Sequence, residues 1–134
     1  MRRSIAWAAL AGGAAACTGG EQRAKVEITA PASDASVSAP VTVSLTVTGV
    51  QIVPASEPKP GSGHHHLFVD VDVPSWTEKI PAGVSNMVHL GKGQSQFTFD
   101  SLPPGKHRIV AVVADADHVP LKPPVADTVE FMVN

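Results

Sequence analysis

The sequence predicts an all-β fold, an immunoglobulin-like antiparallel β-sandwich of about seven strands. Apolar and polar residues alternate along much of the chain, as in the segment VTVSLTVT at 41–48, which is typical of strands with one buried face. No segment from residue 25 onward has the 3.6-residue period of an amphipathic helix. Twelve prolines and eleven glycines divide the chain into short pieces, which also favours strands joined by turns.

Seven segments have the length and pattern of strands. They are residues 25–29, 41–48, 65–73, 86–90, 96–100, 106–114 and 128–133. The sixth is apolar on both faces beyond Arg108, which indicates a central strand covered on both sides. The intervening stretches PASDASVSAP, PASEPKPGSG and ADADHVPLKPPVAD are rich in turn-forming residues, so we expect them to be loops.

Residues 1–17 resemble the signal segment of a bacterial lipoprotein. Arg2 and Arg3 precede an apolar run at 5–16 that is too short to span a bilayer, and AAAC at 14–17 resembles a lipobox ending at Cys17. Residues 18–24 would then be a flexible tether and 25–134 the sandwich domain. We expect an exported cell-envelope lipoprotein on the periplasmic side, at the outer membrane and attached only through lipid on Cys17; plain secretion is the alternative.

Composition excludes several classes of function. The formal net charge is −2 and no basic stripe is present, so nucleic acid is not an expected partner. A single cysteine excludes an internal disulfide bond. The sequence contains no Gly-x-Ser-x-Gly elbow and no P-loop spacing, and therefore predicts a non-catalytic binding module rather than an enzyme.

Five of the six histidines are predicted to meet at one rim of the sandwich. In an immunoglobulin-like fold the strand at 106–114 runs antiparallel to the strand at 65–73, so the start of one lies beside the end of the other. This places the run HHH at 64–66 near His118. The loop leading into the strand at 96–100 should bring His89 to the same end, whereas His107 falls at the opposite end.

The histidine spacing favours a metal site. His64 and His66 share one face of a strand with Cα atoms roughly 6.6 Å apart, while His65 points the other way as a partly buried strand residue. The predicted ligands are His64, His66, His89 and His118, and the residues considered for a supporting role around them are His65, Asp115, Asp117 and Gln94. Imidazole ligands suit zinc or copper, and Met87 would add a soft ligand for copper(I).

Two other interpretations of the histidines remain open from the sequence. They could form a structural polar network at the end of a sandwich, in a module that docks another envelope protein through this rim. They could also form a pH-responsive surface, because neighbouring imidazoles titrate close to neutrality. In either case no cofactor would be needed.

Four motifs occur in the order GSGHHHLFVDVDVP, HLGKGQSQFTF, LPPGKHRIVAVVADADHVP and KPPV, and with them residues 26–133 resemble a bacterial family of exported proteins, domain of unknown function 4399. The resemblance implies a small exported β-rich domain and brings no established activity. Leu121-Lys122 departs from the family pattern, in which a more polar pair is expected, so this loop is not expected to donate an extra ligand. His107 also belongs to the pattern, which implies that some of these histidines serve the fold.

Overall fold

The computed structural model describes residues 23–134; the predicted signal segment and Cys17 lie outside the described residues. Residues 23–134 form nine strands and no helix. The strands are β1 Lys25–Ala30, β2 Ser36–Val37, β3 Val41–Thr48, β4 Gln51–Ile52, β5 Ser62–Val69, β6 Met87–Leu90, β7 Gln96–Phe99, β8 Gly105–Ala114 and β9 Ala126–Val133. Within the same range no helix has the length and apolarity that a membrane span requires.

The strands form two sheets. One has the order β1-β3-β7, and the other has the order β2-β9-β8-β5-β4, with β6 also paired to β5. The first, second and fifth predicted strands thus share one sheet, and the third, sixth and seventh share the other, as in an immunoglobulin-like sandwich. The predicted fold class is confirmed, and β5 runs antiparallel to β8 as expected.

Two details differ from the sequence prediction. The third predicted strand, 65–73, is observed at Ser62–Val69 because Asp70 adopts a positive φ of 58°, which an extended strand cannot contain. The Asp70 carboxylate accepts a hydrogen bond from the backbone N–H of Arg108 at 2.8 Å. This bond directs the Asp70 side chain toward β8. The two-residue strands β2 and β4 were not predicted, since two residues carry no periodic signal.

The main core lies between the two sheets. It is built from alternate residues of both sheets, including Val43, Leu67, Ile109 and Phe131, which are all at most 2% exposed. Burying this much apolar surface is the main stabilising contribution to the fold, at about 25 cal/mol per Å². β7 contributes less, because Phe97 and Phe99 are only partly buried against this core.

A second, smaller core lies on the outer face of the six-stranded sheet. Phe68, Val110, Val112 and Ala114 point outward from β5 and β8, yet all are buried because residues 70–86 fold over them. Ile80 of this covering loop, residues 70–86, is 2% exposed and packs into the second core. β8 is therefore covered on both faces, which explains why its sequence is apolar on both.

Candidate metal centre

Strand β5 presents its three histidines to opposite sides of the sheet. His65 lies in phase with Leu67, which belongs to the main core, whereas His64 and His66 lie in phase with Phe68 of the second core. All three imidazoles are at most 1% exposed. His64 and His66 therefore stand together on the outer face, separated from His65 by the backbone of the strand.

His89 reaches the same face through strand pairing. β6 pairs antiparallel with β5, and in their register His89 lies directly opposite His66. The sequence predicted the meeting of these residues but gave the wrong route, since it brought His89 in through the loop before β7. The actual route is more rigid, because a cross-strand pair fixes two side chains on one face of a sheet.

His118 is supplied by the loop that follows β8. The Asp115 carboxylate accepts hydrogen bonds from the backbone N–H groups of Asp117 at 2.9 Å and Val119 at 3.0 Å. The N–H of His118 donates to the carbonyl of Asp115 at 2.9 Å, and His118 has a φ of 63°. Its own carbonyl accepts a hydrogen bond from the N–H of Ile80 at 2.8 Å, so the covering loop holds it in place.

The four imidazoles of His64, His66, His89 and His118 form a compact group, called here the histidine quartet. Their six ring-centroid separations are 4.9, 4.9, 4.9, 5.0, 5.1 and 5.6 Å. Six nearly equal separations among four points describe a tetrahedron, whereas a square has two diagonals that exceed its sides by the square root of two. One nitrogen from each ring lies within 4.8 Å of the others.

This group is able to hold a metal ion. An ion bound at about 2.0–2.1 Å to four tetrahedral nitrogens needs nitrogens roughly 3.4 Å apart. The observed nitrogens lie within 4.8 Å of one another, so the side chains would have to rotate to bring them to that distance. The sequence prediction that these four residues converge is thus confirmed.

Burial keeps the strand imidazoles neutral. Burial, followed by repulsion from His89 and His118, lowers the pKa of His64 to about 4. Burial and then the charge of His64 lower the pKa of His66 to about 3. The pKa of His89 is also lowered, by burial and by His118. Neutral imidazoles have a free lone pair, which is the form that binds metal.

The buried ring nitrogens of the quartet include atoms without a hydrogen-bond partner. Among the described residues, nothing donates to or accepts from Nε2 of His64 or Nδ1 of His66. Buried polar atoms in folded proteins are almost always paired, so an unpaired one calls for a specific explanation. Both atoms belong to residues of the quartet, where a metal ion would be bonded.

The four residues expected to support the ligands lie in three different places. Asp115 and Asp117 shape the loop that carries His118, and Gln94 accepts a hydrogen bond from the N–H of Lys92 at 2.8 Å. His65 lies on the opposite face with neither ring nitrogen paired, and its burial is complete rather than partial. Among the hydrogen bonds of residues 23–134, none joins these four side chains to the quartet, so direct support of the ligands stays a prediction.

His107 lies at the other end of β8, as the sequence predicted. Its Nε2–H donates to the carbonyl of Pro103 at 2.6 Å, and its Nδ1–H donates to the carboxylate of Asp70 at 2.6 Å. The bond to Pro103 and then the interaction with Asp70 raise the pKa of His107, against the effect of burial. This histidine ties β8 to the end of β5 and serves the fold.

A cavity of about 240 Å³ adjoins the quartet. Three histidines of the quartet form one side of it, and the covering loop and β6 form the rest; the lining residues are His66, Lys79, Ile80, Pro81, Ala82, Gly83, Met87, His89 and His118. The sequence prediction missed the contribution of residues 79–83, because this stretch has no periodic pattern that would place it over the sheet. It also missed Gly91, where a Cβ atom would overlap the imidazole of His89.

Comparison with known proteins gives a family and a fold. No curated protein matches the chain. A crystal structure of an engineered protein from the Northeast Structural Genomics Consortium, at 1.98 Å resolution, is similar with a TM-score of 0.51 and 16% identity over 85% of this chain, which spans only 21% of the engineered one. That likeness supports the fold alone. The model of the family described as domain of unknown function (DUF4399) matches residues 43–134, more than half of the chain, and the chain therefore belongs to this family.

Proposed function

We propose that this domain is a metal-binding module that holds one zinc ion through His64, His66, His89 and His118. The observation that carries the proposal is the tetrahedral quartet itself, in which four imidazoles converge and buried ring nitrogens lack partners. If the ion is bound through these unpaired nitrogens, binding removes the cost of burying them without a partner, about 1–3 kcal/mol each.

The shape of the quartet favours zinc over copper(II). Zinc(II) in proteins is bound almost always in tetrahedral geometry, whereas copper(II) prefers a square-planar or tetragonal set of ligands. The centroid separations, which span only 4.9 to 5.6 Å, fit the tetrahedron. Copper(I) accepts the same geometry but prefers sulfur ligands, and the quartet offers nitrogen alone.

The same atoms argue against a purely structural polar network. A hydrogen-bonded network would pair the buried nitrogens of His64 and His66 with neighbouring donors or acceptors. Within residues 23–134 those nitrogens have no such partner. A docking role for an envelope protein would also leave these two side chains unexplained, because they are 1% exposed.

The proposed setting is the bacterial cell envelope. The signal-like residues 1–17 support export, and Cys17 would carry the lipid that tethers the module to the membrane. In that setting a reversible zinc site would serve buffering or delivery of the ion, and a tightly held one would lock the fold. Mass spectrometry of the mature N-terminus tests the lipid on Cys17.

Calorimetric titration of the mature domain with zinc tests the metal proposal. We expect one ion per chain in the wild type, and at least a 100-fold loss of affinity in His64→Ala and in His118→Ala. His65→Leu is the matched control, because it removes a neighbouring buried imidazole that faces away from the quartet. No binding by the folded wild type, or equal losses in all three variants, would refute the proposal.

A further inference from the structure

The cavity beside the quartet touches it on one side only. Its lining includes His66, His89 and His118 but not His64. These three rings form one triangular face of the tetrahedron, and His64 is the opposite corner. A molecule in the cavity would therefore approach a central ion through that face, directly opposite His64.

We infer that the metal in the quartet accepts a fifth ligand, a small anion with an apolar portion that occupies this cavity. The inference rests on the proposed metal site. His66, His89 and His118 would surround the point at which the anion reaches the ion, and His64 would hold the ion from the other side. Zinc sites with three protein ligands and one open position sometimes expand to five ligands, and we extend this behaviour to a site with four histidines.

The lining of the cavity indicates the class of ligand. Its walls are mainly apolar, formed by Ile80, Pro81, Ala82 and Met87, and they suit the body of a small organic acid better than a hydrated inorganic ion. Lys79 contributes a positive charge, and among residues 23–134 no carboxylate forms an ion pair with it. A metal ion in the quartet and Lys79 at the wall of the cavity would both attract an anion. The volume of about 240 Å³ admits a molecule with a few non-hydrogen atoms beyond the donor group.

One residue of the cavity wall, Ile80, is hydrogen-bonded directly to the segment that carries His118. Ile80 is 2% exposed in the second core, and its N–H donates to the carbonyl of His118 at 2.8 Å. His66 is 1% exposed, lines the cavity and has an unpaired Nδ1. The cavity is thus a preformed space with a buried polar side chain at its floor, as a specific ligand site requires.

Cobalt(II) provides the test, because it takes the place of zinc and its visible absorption weakens when four-coordinate cobalt gains a fifth ligand. Cobalt is first titrated into the mature domain, and azide or butyrate is then added as the probe. We expect intense tetrahedral bands with one cobalt per chain, followed by a saturable fall in their intensity with either anion. Ultrafiltration must show that the cobalt stays on the protein.

Variants of the wall show where the anion binds. Lys79→Gln should weaken azide binding roughly two- to fivefold, the effect of one exposed charge. Ala82→Phe should abolish the response to butyrate by filling the cavity. Lys25→Gln, which removes an exposed lysine from the three-stranded sheet, is the matched control and should leave the response unchanged.

The outcomes separate the two proposals. Tetrahedral bands that neither anion changes would overturn the fifth-ligand inference and leave the zinc site intact. Anion responses that are equal in the wild type and in both wall variants, or a loss of cobalt from the protein, would also overturn it. Absence of any cobalt or zinc binding would overturn the proposed metal site and the inference with it.

Discussion

The burial of His64 and His66 limits how many protons the domain releases when it binds zinc at pH 5.5. A histidine with the ordinary pKa of about 6.5 is about 90% protonated at this pH, so four of them would release about 3.6 protons per zinc. With pKa values of about 4 and about 3, His64 and His66 are roughly 3% and 0.3% protonated. They release almost none, and the quartet has only two other ligands. We therefore expect at most two protons per ion.

The assay is calorimetry at pH 5.5 in two buffers of different ionisation enthalpy, from which the proton count follows directly. Circular dichroism at the same pH establishes that the metal-free domain is folded, and His65→Leu serves as the control because its side chain is outside the quartet. The sign is fixed, since lowered pKa values remove protons from competition with the metal. A release of three or more protons by the folded domain would refute the electrostatic reasoning.

Three further predictions concern single residues. Gly91→Ala should weaken zinc binding at least tenfold in a titration while the domain stays folded, because the new Cβ displaces the imidazole of His89; unchanged affinity would contradict the position of that ring. His65→Leu should raise the free energy of unfolding in urea by about 1–3 kcal/mol, because it removes two unpaired buried nitrogens, and any loss would contradict this. Gly63→Ala should lower the free energy of unfolding by about 1–3 kcal/mol, since its Cβ would lie 2.6 Å from the carbonyl oxygen of Ala114; a neutral result would show that β5 and β8 separate easily.

The convergence of the quartet was predictable because strand order constrains it. The alternation in β3 and the doubly apolar β8 indicate a sandwich, and its topology sets the start of β5 against the end of β8. In the observed register His64 lies opposite Ala114, four residues before His118. A local pattern combined with a fold rule was therefore sufficient to bring together residues that are about fifty positions apart.

The environment of the quartet was not predictable, for a physical reason. The covering loop has no strand and no period, so nothing in its sequence indicates that Ile80 packs on the outer face of the sheet. The sequence therefore indicated ligands at an open rim, whereas the loop buries His64 and His66. The pairing of β6 with β5 was missed too, since four residues do not specify a partner strand.

The three neighbouring histidines of β5 allow a comparison of how burial of an imidazole affects the stability of the domain at low pH. Burial alone lowers the pKa of His65 to about 4, close to that of His64, although His65 lies on the other face of the strand. Below pH 6.5 the unfolded chain binds protons on all three and the folded chain does not, so the free energy of unfolding falls as the pH drops toward 4. Zinc bound by His64 and His66 would offset this loss for those two residues and not for His65. Folding and metal binding are therefore linked on one face of β5 alone, so a metal-dependent gain in acid resistance should disappear with His64→Ala and persist with His65→Leu.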